Sequence, residues 1–240
     1  MRELLCLNLK EWDRGGKIRM SFPEEIRQIV DDAVTQLVND YGLNAERGYY
    51  LTENDATCKL FAMLMEKSEQ NKIGVHSELR PFCSGDRESE IENCQVIKED
   101  IGGRMSWDYQ GQDAKNGSRV DICLIAQDRR YLDKAILKAK IDQIGPSLDR
   151  TRTDLKYWRI LSYPVEAFRA AIEIKVKVHR NMTRIRKDIE KLAVLKQKNS
   201  QCLTYLVVLD RQADPKDIEK IRKIARKRDT EIKVHSPIKQ

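Results

Sequence analysis

Residues 170–181 read AAIEIKVKVHRN, and the fold turns on how that stretch is taken. Apolar residues alternate with charged ones, the pattern of a strand whose side chains point to opposite faces in turn. Over about 170–178, Ile172, Ile174, Val176 and Val178 share one face, and Glu173, Lys175 and Lys177 share the other. The first face belongs in a core. The second carries a carboxylate and two amines, which need opposite charges, a substrate or solvent.

Outward from this strand the pattern repeats in kind. Downstream, NMTRIRKDIEKLAVLKQKN has Ile185, Ile189, Leu192 and Leu195 at helical spacing, and CLTYLVVLD is a strand of the fully buried type. DPKDIEKIRKIARKRD is a capped amphipathic helix with Pro215 at its start, and EIKVH is a closing edge strand. Strand, helix, strand, helix, strand predicts an α/β fold with a mixed central sheet flanked by helices. Upstream, SRVDICLIAQD predicts a strand over 119–126 with Asp121 inside an otherwise apolar run. YLDKAILKAKIDQI is helical up to Gly145 and Pro146, and a further helix is expected over 148–161. KIGVHSELRPF predicts a strand over 73–80 ended by Pro81.

Two helices come before that strand. SFPEEIRQIVDDAVTQLVNDYGL has Ser21 and Glu24 at capping-box spacing, an apolar stripe of Ile26, Val30, Ala33, Val34 and Leu37, and Gly42 as its expected stop. The second, over about 53–68, starts with Thr52 and Asp55 in the same relation. Residues 83–118 are polar and glycine-punctuated, a loop of functional length with a hairpin expected around 105–109. With no repeat or boundary in view, the chain reads as one domain over 1–240. It comprises an N-terminal helical extension over 1–48, a core over about 50–210 and a helical insertion over 130–165.

Composition narrows the function. With 40% apolar and 35% charged residues the chain is globular rather than disordered. No apolar run approaches the about 20 residues of a membrane span. The opening MRELLCLNLKEWDRGG lacks a signal-peptide core, so secretion is not expected. Six cysteines, at 6, 58, 83, 94, 123 and 202, form no CxxC and no zinc pattern; Cys58 and Cys123 read as core residues, and the expected compartment is the reducing cytoplasm. The net charge of +7 is uneven: residues 129–191 carry 17 Lys and Arg against 8 Asp and Glu, a local +9. Such a region attracts a polyanion such as DNA or RNA. Phosphate loops, dinucleotide fingerprints, serine-hydrolase elbows and HExxH are all absent from the sequence.

The acidic residues on strands then need explaining. Asp121 and Glu173, with the Lys175 amine, form a set of hard oxygen donors and one cation suited to Mg²⁺ and a phosphate. The VD of one strand and the EIK of a later one resemble the PD-(D/E)XK nuclease superfamily, the restriction-endonuclease-like fold. The likeness spans about residues 50–210; Val120 stands where the pattern often has proline, and 52 positions separate Asp121 from Glu173.

That resemblance implies Asp121 and Glu173 as metal ligands, with the Ile174 carbonyl beside them and Lys175 catalytic. Glu53 or Glu78 would complete the set, and the metal would be Mg²⁺, with Mn²⁺ as a substitute. It implies a restriction- or repair-type endonuclease hydrolysing phosphodiester bonds in DNA, and a homodimer would suit cutting of both strands. Lys177, Arg180, Arg184 and Lys187 would hold the nucleic-acid backbone. The alternative is a non-catalytic nucleic-acid-binding or assembly module that retains the fold, in which the carboxylates are structural.

Overall fold

The computed structural model describes residues 22–46, 52–68, 73–82, 119–144, 162–178, 181–227 and 232–237. Its centre is a six-stranded mixed sheet in the order β3-β1-β2-β4-β5-β6. The strands are β1 (Ile73–Phe82), β2 (Val120–Ala126), β3 (Ser162–Pro164), β4 (Phe168–Val176), β5 (Leu203–Leu209) and β6 (Ile232–His235). β2 runs antiparallel to both β1 and β4, whereas β4, β5 and β6 are mutually parallel and β3 is parallel to β1. The α/β class expected from the sequence is the class observed.

Helices cover both faces. α1 (Phe22–Glu46) and α2 (Glu53–Ser68) pack on one face, where Ile122, Leu124, Ile172, Ile174, Tyr205 and Val207 meet Val30, Leu37, Leu60 and Leu64. α4 (Met182–Lys198) and α5 (Pro215–Arg226) pack on the other, where Cys123, Ala171, Leu206 and Val208 meet Ile185, Ile189, Leu192 and Ile218. α3 (Arg129–Ile144) joins this second core through Ala135. β5 is buried at every position, as a parallel strand covered on both faces should be.

Local signals in the sequence account for several boundaries. Thr52 and Asp55 form a reciprocal capping box: the Thr52 N–H and hydroxyl donate to Asp55 Oδ2 at 3.0 and 2.7 Å, and the Asp55 N–H donates to Thr52 Oγ1 at 3.2 Å. The same contacts hold the Asp55 carboxyl below its ordinary pKa. α5 starts at Pro215, with the Asp214 side chain accepting from the Lys216 N–H at 2.8 Å.

Other expectations need correction. α1 runs through Gly42 to Glu46; Tyr41 is buried and the Gly42 carbonyl accepts from Arg211 at 3.0 Å, so one glycine does not end the helix. α1, in the N-terminal extension, packs against β4, β5 and β6. β1 runs through Pro81, which lies beyond the last β2 pair and faces Tyr163 of the short edge strand β3. The supposed helical insertion thus ends as strand at 162–164, followed by a 3-10 turn at Val165–Ala167.

Cys58 is exposed, since the buried stripe of α2 runs through Ala56, Leu60 and Leu64. Val178 leaves the Ile172 face and joins the opposite core, because Lys177 adopts φ 67° and breaks the alternation after β4. Ser21, the loop over 83–118 with its hairpin, and the expected helix over 148–161 lie outside the described residues.

Candidate active site

The site forms where the ladder between β2 and β4 ends. The two strands pair as far as Ile122 opposite Ile172. Beyond that point the Ile174 N–H has no backbone partner on β2, and it donates instead to Asp121 Oδ2 at 2.8 Å. A buried amide must find an acceptor, and here a carboxylate replaces the neighbouring strand. The N–H and C=O of one strand residue point to the same edge, so the Ile174 carbonyl lies on the Asp121 side too.

Glu173 and Lys175 sit on the face of β4 that looks toward α4. Glu173 is 1% exposed and Lys175 7%. Lys175 Nζ stands among four carboxylates: Glu53 at 3.2 Å, Asp188 at 3.3 Å, Asp121 at 3.7 Å and Glu173 at 3.9 Å. Glu53 reaches in from the first residue of α2, a position set by the Thr52–Asp55 box. The cluster therefore draws on both helical layers as well as two strands.

Behind it lies a second amine. Lys191 Nζ is 2.5 Å from Glu173 Oε1 and 3.1 Å from Asp188 Oδ1, and it donates to the Arg119 carbonyl at 2.7 Å. At 2.5 Å the Lys191 ammonium and the buried Glu173 Oε1 form a charge-assisted contact. Burial pushes the Glu173 carboxyl well above its ordinary pKa; Lys191 opposes this, and the Asp121 and Asp188 charges add to it. For Lys175 and Lys191 burial pulls downward, but the surrounding carboxylates outweigh it and both amines are held above their usual range. Both lysines are therefore ammonium ions, and Glu173 takes a proton more readily than a solvated glutamate would.

Four carboxylates against two ammonium groups leave a formal charge of −2, which one divalent cation would neutralise. The donors are hard oxygens of the kind Mg²⁺ takes, and Glu173 among them is 1% exposed. In chemistry and charge the residues fit such an ion. Among the described residues no three His, Cys, Asp or Glu side chains already converge at metal spacing; the two ammonium groups stand between the carboxylates.

Of the residues singled out in the sequence, Asp121, Glu173, Lys175 and Glu53 come together. Glu78 does not join the contacts of Lys175. By the pairing of its neighbours it falls opposite Asp121, yet it takes φ 58° and its half-exposed carboxylate meets Arg119 at 3.4 Å. Glu78 and Lys177 are the non-glycine residues with left-handed backbone among the described residues, and both border the site. Strained backbone of this kind gathers at functional sites.

Lys177 and Arg184 are exposed and Lys187 is partly so, while Arg180 and His179 lie outside the described residues. Sequence reasoning passed over Asp188 and Lys191. Their signal was present: both fall beside the buried stripe of Ile185, Ile189 and Leu192, where a helix facing a core has no use for charge.

No described helix is long and apolar enough to cross a membrane. No protein-family model matches the chain, and no curated protein matches it in sequence. Among solved structures, NucC of E. coli MS115-1 in its cAAA-bound form superposes with a TM-score of 0.33 at 9% identity, covering 85% of this chain and 70% of that one. NucC of P. aeruginosa ATCC27853, also cAAA-bound, gives a TM-score of 0.32 at 8% identity, covering 84% of this chain and 72% of that one. Likeness at that level carries no argument about function, which rests on the side chains gathered around Lys175.

Proposed function

We propose that the chain is a metal-dependent nuclease that hydrolyses phosphodiester bonds in DNA, as a restriction- or repair-type endonuclease. One observation carries the reading: Asp121, Glu173 and Lys175 from adjacent strands meet Glu53 from α2 at the point where the sheet ladder opens. Asp121 and Glu173 would hold Mg²⁺ or Mn²⁺, with Glu53 and the Ile174 carbonyl beside them. When bound, the ion would supply positive charge against the phosphate oxygens as negative charge builds in the transition state.

The chain's own groups do the rest. Lys175, kept as an ammonium by its carboxylates, donates hydrogen bonds to a phosphate oxygen or to the attacking water and fixes its position. Asp121 is itself held by the Ile174 N–H, so its carboxylate is oriented before any substrate arrives. Lys177, Arg184 and Lys187 would grip the backbone phosphates, with Arg180 in the same stretch, giving affinity without sequence choice. A homodimer would place two such sites on a duplex.

A second reading has one observation in its favour. Lys191 already pairs with Glu173 at 2.5 Å, as it would in a retained fold whose carboxylates serve only structure and whose basic surface binds nucleic acid. Cleavage of supercoiled plasmid and of single-stranded DNA with Mg²⁺ or Mn²⁺ separates the two. Wild type should cut only with metal, and Asp121→Ala and Lys175→Ala should each lose about 100-fold or more in rate while staying folded by circular dichroism. A wild type that neither cuts nor binds metal at millimolar concentration would leave only the binding module.

A further inference from the structure

The nuclease reading has no role for Lys191, yet its ammonium is among the most deeply buried charges described: its side chain is 7% exposed. A lysine is left inside a protein only where its charge is matched. A tether between helix and sheet would need one carboxylate. Lys191 has two, Glu173 at 2.5 Å and Asp188 at 3.1 Å, and its hydrogen bond to the Arg119 carbonyl anchors it to the start of β2.

Lys175 approaches the opposite oxygens of the same two carboxylates, Glu173 Oε2 at 3.9 Å and Asp188 Oδ2 at 3.3 Å. Each carboxylate is thus bracketed by two cations. Lys191 engages Glu173 Oε1 at 2.5 Å, so a divalent cation taking this oxygen as a ligand would have to displace the ammonium from it.

We propose that Lys191 is a resident counter-ion: its ammonium holds Glu173 and Asp188 in the metal-free protein and competes with a divalent cation for them. The proposal rests on the nuclease reading, since it takes Glu173 as a metal ligand. On this view Lys191 is a positioning residue. It keeps the carboxylates of β4 and α4 gathered before metal arrives, and it weakens the site's hold on metal by being there. The four-carbon stem allows the ammonium to give up Glu173 while keeping the Arg119 carbonyl and Asp188.

The test uses the full chain and Mn²⁺ as probe, with binding measured by calorimetry and melting followed with and without the ion. Lys191→Met should bind Mn²⁺ about tenfold more tightly than wild type. Mn²⁺ should raise its Tm by about 3–6 °C more than it raises that of wild type. Lys191→Arg, which keeps the charge, should stay near wild type in both. If wild type binds Mn²⁺ and Lys191→Met binds it equally or less well, Lys191 is a structural tether and the proposal falls while the nuclease reading stands. If no form binds Mn²⁺, both fall. Should Lys191→Met fail to fold alone, recovery of native circular dichroism on refolding with Mn²⁺ supports the proposal, and failure to recover with the ion overturns it.

Discussion

Replacing Lys175 with methionine keeps most of the unbranched side chain and removes its charge. What remains is Glu173, buried, and Asp121 and Asp188, both more than four-fifths buried, with Lys191 the cation against them among the described residues. Removing one member of a buried ion pair costs about 3–5 kcal/mol, because the partner is left charged in a poor solvent. Two features place this case at the lower end. Lys191 still faces Glu173 and Asp188, and the Glu53 carboxylate is 47% exposed, so its share is that of a surface pair, about 0.2–1 kcal/mol. A loss of about 3 kcal/mol follows, or about 6–12 °C in Tm for a chain of this size.

The sign with pH can be worked out. Burial already raises the folded Glu173 pKa, and loss of Lys175 removes one of the charges that opposes the rise. A raised folded pKa gives stability that is present at low pH and lost as pH rises through that pKa. The deficit of Lys175→Met is therefore largest above the folded pKa of Glu173 and shrinks on acidification. Thermal melting by circular dichroism across pH 4–8 (about the range in which the fold should survive) reads both effects. A variant as stable as wild type at neutral pH, or one whose deficit grows as pH falls, would refute the account of Lys175 as the cation that holds the cluster together.

Two further substitutions probe the frame around the site. Lys177→Gly should stabilise the protein by about 0.5–1 kcal/mol, because a left-handed backbone costs a side-chain-bearing residue about 1–2 kcal/mol and the added freedom of the unfolded chain returns part of it; denaturant melts check this, and a loss of stability would show that Lys177 makes contacts worth more than its strain. Thr52→Ala should cost about 1 kcal/mol by removing the cap of α2, with a drop of about 2–4 °C in Tm, and an unchanged Tm would mean that Asp55 alone starts the helix.

Periodicity made most of the frame legible. Alternation in AAIEIKVK placed Glu173 and Lys175 on one face, and the apolar run around Asp121 marked a strand with a carboxylate that had to be matched. The capping box at Thr52 fixed where Glu53 begins α2. What escaped the sequence has physical causes. A lysine gives no hint of left-handed backbone, so the reversal at Lys177 that moves Val178 to the other core was invisible. Three residues ending in proline make a poor strand by any pattern, and β3 exists because β1 offers a free edge. Asp188 and Lys191 looked like ordinary surface charges on a basic helix, although their neighbours Ile189 and Leu192 are buried.

The position of the cluster follows from the sheet rather than from any one motif. An antiparallel pair that stays in register has no room for charge between its strands, because each backbone donor meets a backbone acceptor. β2 and β4 part after Ile172, and the freed Ile174 N–H must be satisfied from the side. Asp121 can do so only by bringing a carboxylate into a dry place, and this in turn calls for a cation. Lys175 supplies one from the next position of β4, and Glu53, Glu173 and Asp188 close on the same ammonium. Among the described residues the cluster carries a formal −2. A network built only for stability would gain by neutrality, since a buried charge left without its partner costs about 3–5 kcal/mol. The half-exposure of Glu53 lowers the cost of that excess, and on the nuclease reading a divalent cation would neutralise it.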